Sequence, residues 1–242
     1  MKLYLAGIES HMNIVFEEKP KYVLYSYIYR NDDCLRYVKS KHCKSFILDS
    51  GAFTFMNIGK KVDFKEYAEQ YAKYVEENNI TNYIELDLYN IIGIKETEEL
   101  RKILINITGR KPIPVFHKRC GKEYFHKLIN EFEYIAIGGI AAKHIKRSEY
   151  KYFDYFINEA HKKNVKIHGL GLTSQEAIKR YKFDSVDSTS WISGRFGFVY
   201  YYKNGSIKQY KKKNSRLKST TEANRFSMNQ WVKFQKYVDL KL

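Results

Sequence analysis

The chain has 242 residues, 44% of them hydrophobic and 29% charged, with a formal charge of +16 at pH 7. That length admits one large α/β domain or two small ones with a full core. No apolar run is long enough to cross a membrane. The charge favours a polyanionic partner, nucleic acid first and an anionic membrane surface second, although a Lys-rich composition bias would raise it too.

In chain order, Lys2–Ala6 reads as a first strand leading directly into Gly7 and Glu9, without the longer apolar stretch of a signal peptide. Further strands are expected at Tyr22–Ile28, Ser45–Asp49, Tyr83–Leu88, Ile113–His117, Tyr134–Gly138, Val165–Gly169 and Phe183–Asp187. Amphipathic helical patterns lie between them at Phe64–Asn78, Glu96–Ile107, Lys122–Phe132, Tyr150–Lys163 and Ser174–Tyr181. Eight strands with intervening helices predict an α/β fold, a (β/α)8 TIM barrel over residues 1–195. A doubly wound open sheet is the runner-up. Residues 196–242 read as a basic C-terminal extension on the same domain: a hairpin turning at Asn204-Gly205, a polar stretch, and a closing helix near Met228–Leu240. Cys34, Cys43 and Cys120 are scattered and odd in number, with no close pair for a metal or disulfide framework. A reduced, cytoplasmic protein is expected.

In such a barrel chemistry gathers where strands end. Those ends carry Asp49, Asp87, His117, Gly138-Gly139, His168-Gly169-Leu170-Gly171 and Asp187. Asp49 closes an apolar strand, a costly place for a carboxylate, and is followed by Ser50, Gly51, Ala52 and the ring of Phe53. Alternation puts Glu85 and Asp87 on one face, so both are expected to point into the barrel mouth; a helix cap or buried salt bridge is the structural alternative for Asp87. His117 fits a hydrogen-bonded core histidine as well as a site residue. The glycines permit close approach of a flat ligand, or relieve crowding at a barrel corner. Beyond the last strand, Arg195, Lys208, Lys211, Lys212, Lys213 and Arg216 form a cationic run interleaved with Tyr200, Tyr201, Tyr202 and Tyr210, and no acidic residue interrupts Lys203 to Lys218. Cations beside aromatic faces suit a phosphate backbone with exposed bases, and a solvated hairpin would look similar.

Taken in order, these segments resemble the tRNA-guanine transglycosylase family. Its Asp-Ser-Gly-Gly-Phe signature is similar to Asp49-Ser50-Gly51-Ala52-Phe53, and its Ile-Gly-Gly-Leu-Ala segment to Ile137-Gly138-Gly139-Ile140-Ala141. Its Met-Gly-Val-Gly turn is similar to His168-Gly169-Leu170-Gly171, so the resemblance spans roughly Phe46 to Arg195. It implies a barrel enzyme that exchanges guanine in nucleic acid for a 7-deazaguanine base. The family nucleophile is an aspartate at the end of the last barrel strand. Phe183-Asp184-Ser185-Val186-Asp187 offers two: Asp184 is the literal match, whereas strand length and the spacing from Gly171 favour Asp187. The two have opposite parity, so only one faces inward.

By the resemblance, Asp187 traps the ribose C1′ as a glycosyl-enzyme and Asp49 is the general acid/base. Asp87 then hydrogen-bonds the base with backbone help from Gly139 and Ile140, and Phe53 stacks on it. Ser50, Gly138 and Gly169 belong to the same matched binding segments. His117 and His168 stand where the family has Gln and Met. The family's zinc cluster has no counterpart, since no cysteine follows Cys120, so no metal or other cofactor is expected. A compact basic barrel without that subdomain is most like the DNA-modifying branch of phages and bacteria, which implies host cytoplasm if phage-encoded. DNA is the favoured partner and tRNA the alternative, with an unpaired or flipped target nucleotide and a helper protein to open the duplex as a further candidate. Two other classes remain: an inactive barrel that binds nucleic acid, and a barrel enzyme acting on a small anionic metabolite.

Overall fold

The computed structural model describes residues 1–52, 54–55, 62–211 and 219–242. Seven parallel strands, β1 (Lys2–Ala6), β2 (Tyr22–Ser26), β3 (Ser45–Asp49), β4 (Val115–Phe116), β5 (Tyr134–Ile137), β6 (Lys166–Gly169) and β7 (Ser185–Ser188), lie in the order β3-β2-β1-β7-β6-β5-β4. The two outer strands are joined by the segment at Tyr83 and Ile84, through parallel bridges Leu48 to Tyr83 and Ile84 to Ile113. The ring therefore closes as an eight-position α/β barrel, and the strand expected over Tyr83–Leu88 is reduced to this short seam.

Alternation along each strand sorts the side chains. Tyr4, Ala6, Tyr22, Leu24, Ile47, Ile84, Ile113, Val115 and Ala136 form one buried cluster inside the barrel. Leu3, Leu5, Val23, Leu48, Ile135, Ile137, Ile167 and Val186 have the opposite parity and join the larger core under the helices. That outer layer holds α1 (Met12–Glu18), α2 (Asp32–Val38), α3 (Phe64–Glu77), α4 (Tyr89–Thr108), α5 (Gly121–Glu131), α6 (Phe153–Lys162), α7 (Gln175–Arg180) and α8 (Thr220–Lys241). Asp63 caps α3 by accepting from the N–H groups of Lys65 and Glu66. Gly93, at φ 88°, kinks α4 near its start.

The hairpin stands outside the ring. β8 (Phe198–Lys203) and β9 (Ser206–Lys211) pair antiparallel and turn at Asn204-Gly205, both with positive φ, as the right-handed twist of a two-residue hairpin requires. The helix expected in the same extension starts earlier, where Ser219 accepts from the Glu222 N–H, and it belongs to the ring. It packs on β1 and α1 and takes the eighth helical position. Buried Gln235 fastens it there: its amide oxygen accepts from Lys21 N at 2.8 Å, and its nitrogen donates to the carbonyls of Leu3 and Tyr22, each at 2.8 Å.

Candidate active site

A cavity of about 330 Å³ opens at the C-terminal ends of the strands. Glu9, Asp49, Asp87 and Asp187 line it, with His117, Gly139, His144 and Gly171. A larger concavity, about 1020 Å³, runs along the hairpin instead, but among the described residues its titratable lining groups are lysines and tyrosines. The barrel mouth is where acids converge.

Asp187 is buried, on the inward parity of β7. Its Oδ1 accepts from the Gly171 N–H at 2.6 Å and faces His168 Nε2 at 3.1 Å. Gly171 has φ +72°, and a Cβ there would stand 2.7 Å from the Ala141 Cβ, so only glycine delivers this N–H without displacing its neighbour. His168, wholly buried, turns its other nitrogen to Ser185 Oγ at 2.6 Å, and Ser185 Oγ meets the Tyr134 hydroxyl at 2.5 Å. The three contacts form a relay that can run in one direction, Tyr134 donating to Ser185, Ser185 to His168 Nδ1, and His168 Nε2 to Asp187. Burial pushes the Tyr134 hydroxyl pKa well up, in keeping with its place as first donor.

Asp49 ends β3 across the mouth, with Oδ2 accepting from the Gly51 N–H at 3.0 Å. Burial of the carboxyl raises its pKa to about 7; the Gly51 N–H opposes the rise, and the charges of Asp187, Asp87 and Glu9 add to it. It is thus a carboxyl able to give and take a proton near neutrality. Asp87 Oδ1 lies 2.7 Å from His117 Nε2, and the His117 ring stacks on Tyr89 with centroids 5.2 Å apart. Gly138 makes room for that ring, since a Cβ there would sit 2.9 Å from His117 Cε1.

Several expected residues lie elsewhere. Asp184 is at the opposite end of β7, accepting from Ile167 N at 2.8 Å and facing His161 Nε2 at 2.9 Å. Glu85 does not reach the mouth. Ile84 faces inward, so Glu85 faces the helices, where the Arg101 guanidinium of α4 binds its carboxylate at 2.5 and 3.2 Å and the Val115 N–H adds a third bond. Bridge pairing ends at Ile84, and Asp87 lies beyond it, between Leu86 and Leu88, whose carbonyl and N–H are bonded at 2.8 Å; there it lines the cavity. Ser50 donates its hydroxyl to the Glu85 carbonyl at 2.9 Å and accepts on its own carbonyl from the Tyr67 hydroxyl at 2.6 Å, which ties strand ends together; it is fully buried and does not line the cavity. The Ile140 side chain is buried in the outer core, and Gly169 packs tightly against Leu172 and Val186 rather than lining the cavity. Phe53, Lys212, Lys213 and Arg216 lie outside the described residues.

Glu9 and Ser26 were not anticipated. Glu9 follows β1, and its carboxylate accepts from the Ser26 N–H; burial raises its pKa. The Ser26 hydroxyl is buried on the same wall with no hydrogen-bond partner among the described residues. The available signal was position alone, an acid just past the first strand on the same rim. Among the described residues, no group of three His, Cys, Asp or Glu side chains is arranged to hold a metal ion.

No protein-family model matches the chain, and a search of curated proteins returned no match. Among solved structures, a putative fructose-1,6-bisphosphate aldolase from Coccidioides immitis superposes with a TM-score of 0.55 at 12% identity, covering 97% of this chain and 89% of that one. A 4-hydroxy-2-oxoglutarate/2-dehydro-3-deoxyphosphogluconate aldolase follows at TM-score 0.49 and 11% identity, over 96% of this chain and 93% of that one. At such identities the first likeness speaks for the fold and leaves the reaction to the residues at the mouth: the chain shares the α/β barrel.

Proposed function

We propose that the protein is a nucleic-acid guanine transglycosylase, a pentosyltransferase that exchanges guanine for a 7-deazaguanine base in DNA. The observation that carries the reading is the pair of unlike carboxyls on one cavity. Asp49 has its pKa raised to about 7, and Asp187 takes a backbone N–H and an imidazole on a single oxygen. Environments that separate two acids in this way assign an acid/base role to one and a nucleophilic role to the other. The matched motifs around Asp49, Gly139 and Gly171 supply the choice of base and sugar.

In the first half-reaction Asp187 Oδ2 attacks C1′ of the target nucleotide. The C1′–N9 bond breaks as protonated Asp49 gives its proton to the departing guanine. An ester between Asp187 and C1′ remains. In the second half, Asp49 takes the N9 proton of the incoming base, N9 attacks C1′, and the ester bond breaks to release Asp187. The Gly171 N–H and His168 hold Oδ1 still throughout and spread charge as the carboxylate re-forms. Asp87, held by His117, and the Gly139 backbone border the place where the base lies.

The test is incubation of the protein with DNA or tRNA and a radiolabelled 7-deazaguanine. Label in DNA and not in tRNA is expected. Label in tRNA alone moves the substrate to RNA, and label in neither overturns the transglycosylase reading.

A further inference from the structure

Two more concavities neighbour the cavity at the mouth. Thr189 lines both the cavity and an adjoining groove of about 520 Å³, which also holds Ser10, Ser190, Arg195 and Phe196. Phe198 lines that groove and the long hairpin concavity. Each shares a lining residue with the next, so the three lie in a row, a path from the acids at the mouth to the hairpin.

The lining changes character along the path. Four carboxylates line the first cavity, and among the described residues no aspartate or glutamate lines the second or third. In their place come exposed cations, Arg195, Lys203, Lys208 and Lys211. Exposed rings are spaced between them. Phe196 is 57% exposed and lies nearly parallel to Phe198, with the Arg195 guanidinium 4.6 Å from its centroid. Tyr201 and Tyr210, 47% and 52% exposed, meet edge to face on the hairpin at 4.9 Å. Tyr200 packs against Trp231 of α8 and Tyr202 lies against Phe234, so these two tyrosines are structural; Tyr201 also meets Phe226 of α8 edge to face at 4.8 Å, yet it and Tyr210 keep about half of their surface open. Large rings left open to water on one face, with cations among them, mark a surface for a ligand.

We propose that this path binds a single-stranded polynucleotide, the segment adjoining the nucleotide held at the mouth. The proposal rests on the reading of the cavity as a nucleotide site. A small substrate would need only the first cavity, and a folded protein partner would meet rings already separated by lysines. A flexible polyanion with flat bases matches both features at once: phosphates meet the cations and bases stack on Phe196, Tyr201 and Tyr210. An anionic membrane surface matches the charge but offers no flat bases to stack on the rings.

Fluorescence anisotropy with an oligothymidylate about 12 nucleotides long measures the path without any exchange chemistry, since the probe carries no guanine. Phe196→Ala and the pair Tyr201→Ala with Tyr210→Ala should each weaken binding about fivefold or more, the low end for loss of a stacking ring. Arg195→Gln should flatten the salt dependence by about 0.7 in log–log slope, one phosphate's worth on a single strand. All these side chains are exposed, and an unchanged thermal melt will show that the variants are folded. Binding within twofold of wild type in all three variants overturns the path, as does retention on phosphatidylserine vesicles without retention of the oligonucleotide. The two readings fail separately. Oligonucleotide binding that depends on the rings, with no label entering DNA or tRNA, sinks the exchange reaction alone. Label entering DNA equally well with the ring variants sinks the path alone.

Discussion

His168 Nε2 stands 3.1 Å from Asp187 Oδ1, inside a barrel interior otherwise filled by aliphatic and tyrosine side chains. A buried imidazole there does more than fill space, because it is the side-chain donor that fixes which way the carboxylate faces. His168→Leu should slow formation of the covalent adduct by about 10- to 100-fold, the value of one hydrogen bond to a charged group. His168→Gln, which still presents a donor, should recover most of that loss. Single-turnover trapping of the protein–DNA adduct measures both, and equal loss in the two variants would reduce His168 to a packing residue.

The raised pKa of Asp49 has consequences for rate and for stability. Adduct formation needs the protonated acid, so its rate should fall as pH rises through about 7. Asp49→Asn should abolish that limb and slow the reaction by about 10²- to 10⁴-fold. Stability follows the same proton. Between the ordinary carboxyl value of 3.8 and about 7, the native state holds a proton that the unfolded chain has released. Native stability therefore declines as pH rises across this window and levels off above it. Asn carries no such slope, so Asp49→Asn should be the more stable protein at pH 8, by about 2 kcal/mol after allowance for the open cavity, and should converge on wild type near pH 4. Urea titrations at the two pH values decide it.

The two aspartates of β7 should separate cleanly. In the proposed exchange Asp187 supplies the attacking oxygen, so Asp187→Ala should leave no adduct. Asp184→Ala removes an acceptor for Ile167 N and a partner for His161 at the far end of the strand, which should cost about 1 kcal/mol and leave exchange intact. Adduct formed by the first variant and lost in the second would transfer the nucleophile to Asp184.

Glu85 and Arg101 form the buried ion pair of the outer layer. Removing the cation leaves a desolvated carboxylate without its partner, so Arg101→Ala should destabilise the protein by about 3–5 kcal/mol. Arg101→Met paired with Glu85→Gln should lose much less. Denaturant midpoints measure the difference, and a double variant as unstable as the single one would show that packing, rather than charge, holds this corner.

Periodicity carries the barrel's plan in this sequence, because inward and outward residues alternate faithfully on β1, β2, β3, β5 and β7. The same alternation places Asp187 inward and Asp184 at the far end. It misleads at Glu85, because bridge pairing ends at Ile84 and the alternation of a strand no longer governs Asp87, a boundary invisible in a run of apolar and acidic residues. Ser50 misleads for a different reason, since a motif match identifies a position and not the direction of a hydroxyl. The relay of Tyr134, Ser185 and His168 could not be read in advance, because its members come from three strands and meet only when the ring closes. The start of α8 is missed: expected near Met228, the helix begins at Thr220, where the Ser219 side chain accepts from the Glu222 N–H.

Gln235 ties together distant parts of the chain. Its amide bonds Lys21, Leu3 and Tyr22, so β1 and β2 are fastened by a side chain more than two hundred residues further along. A contact of that separation closes a very long loop before it returns any stabilisation, so the docking of α8 that seals the ring should be a slow step of folding.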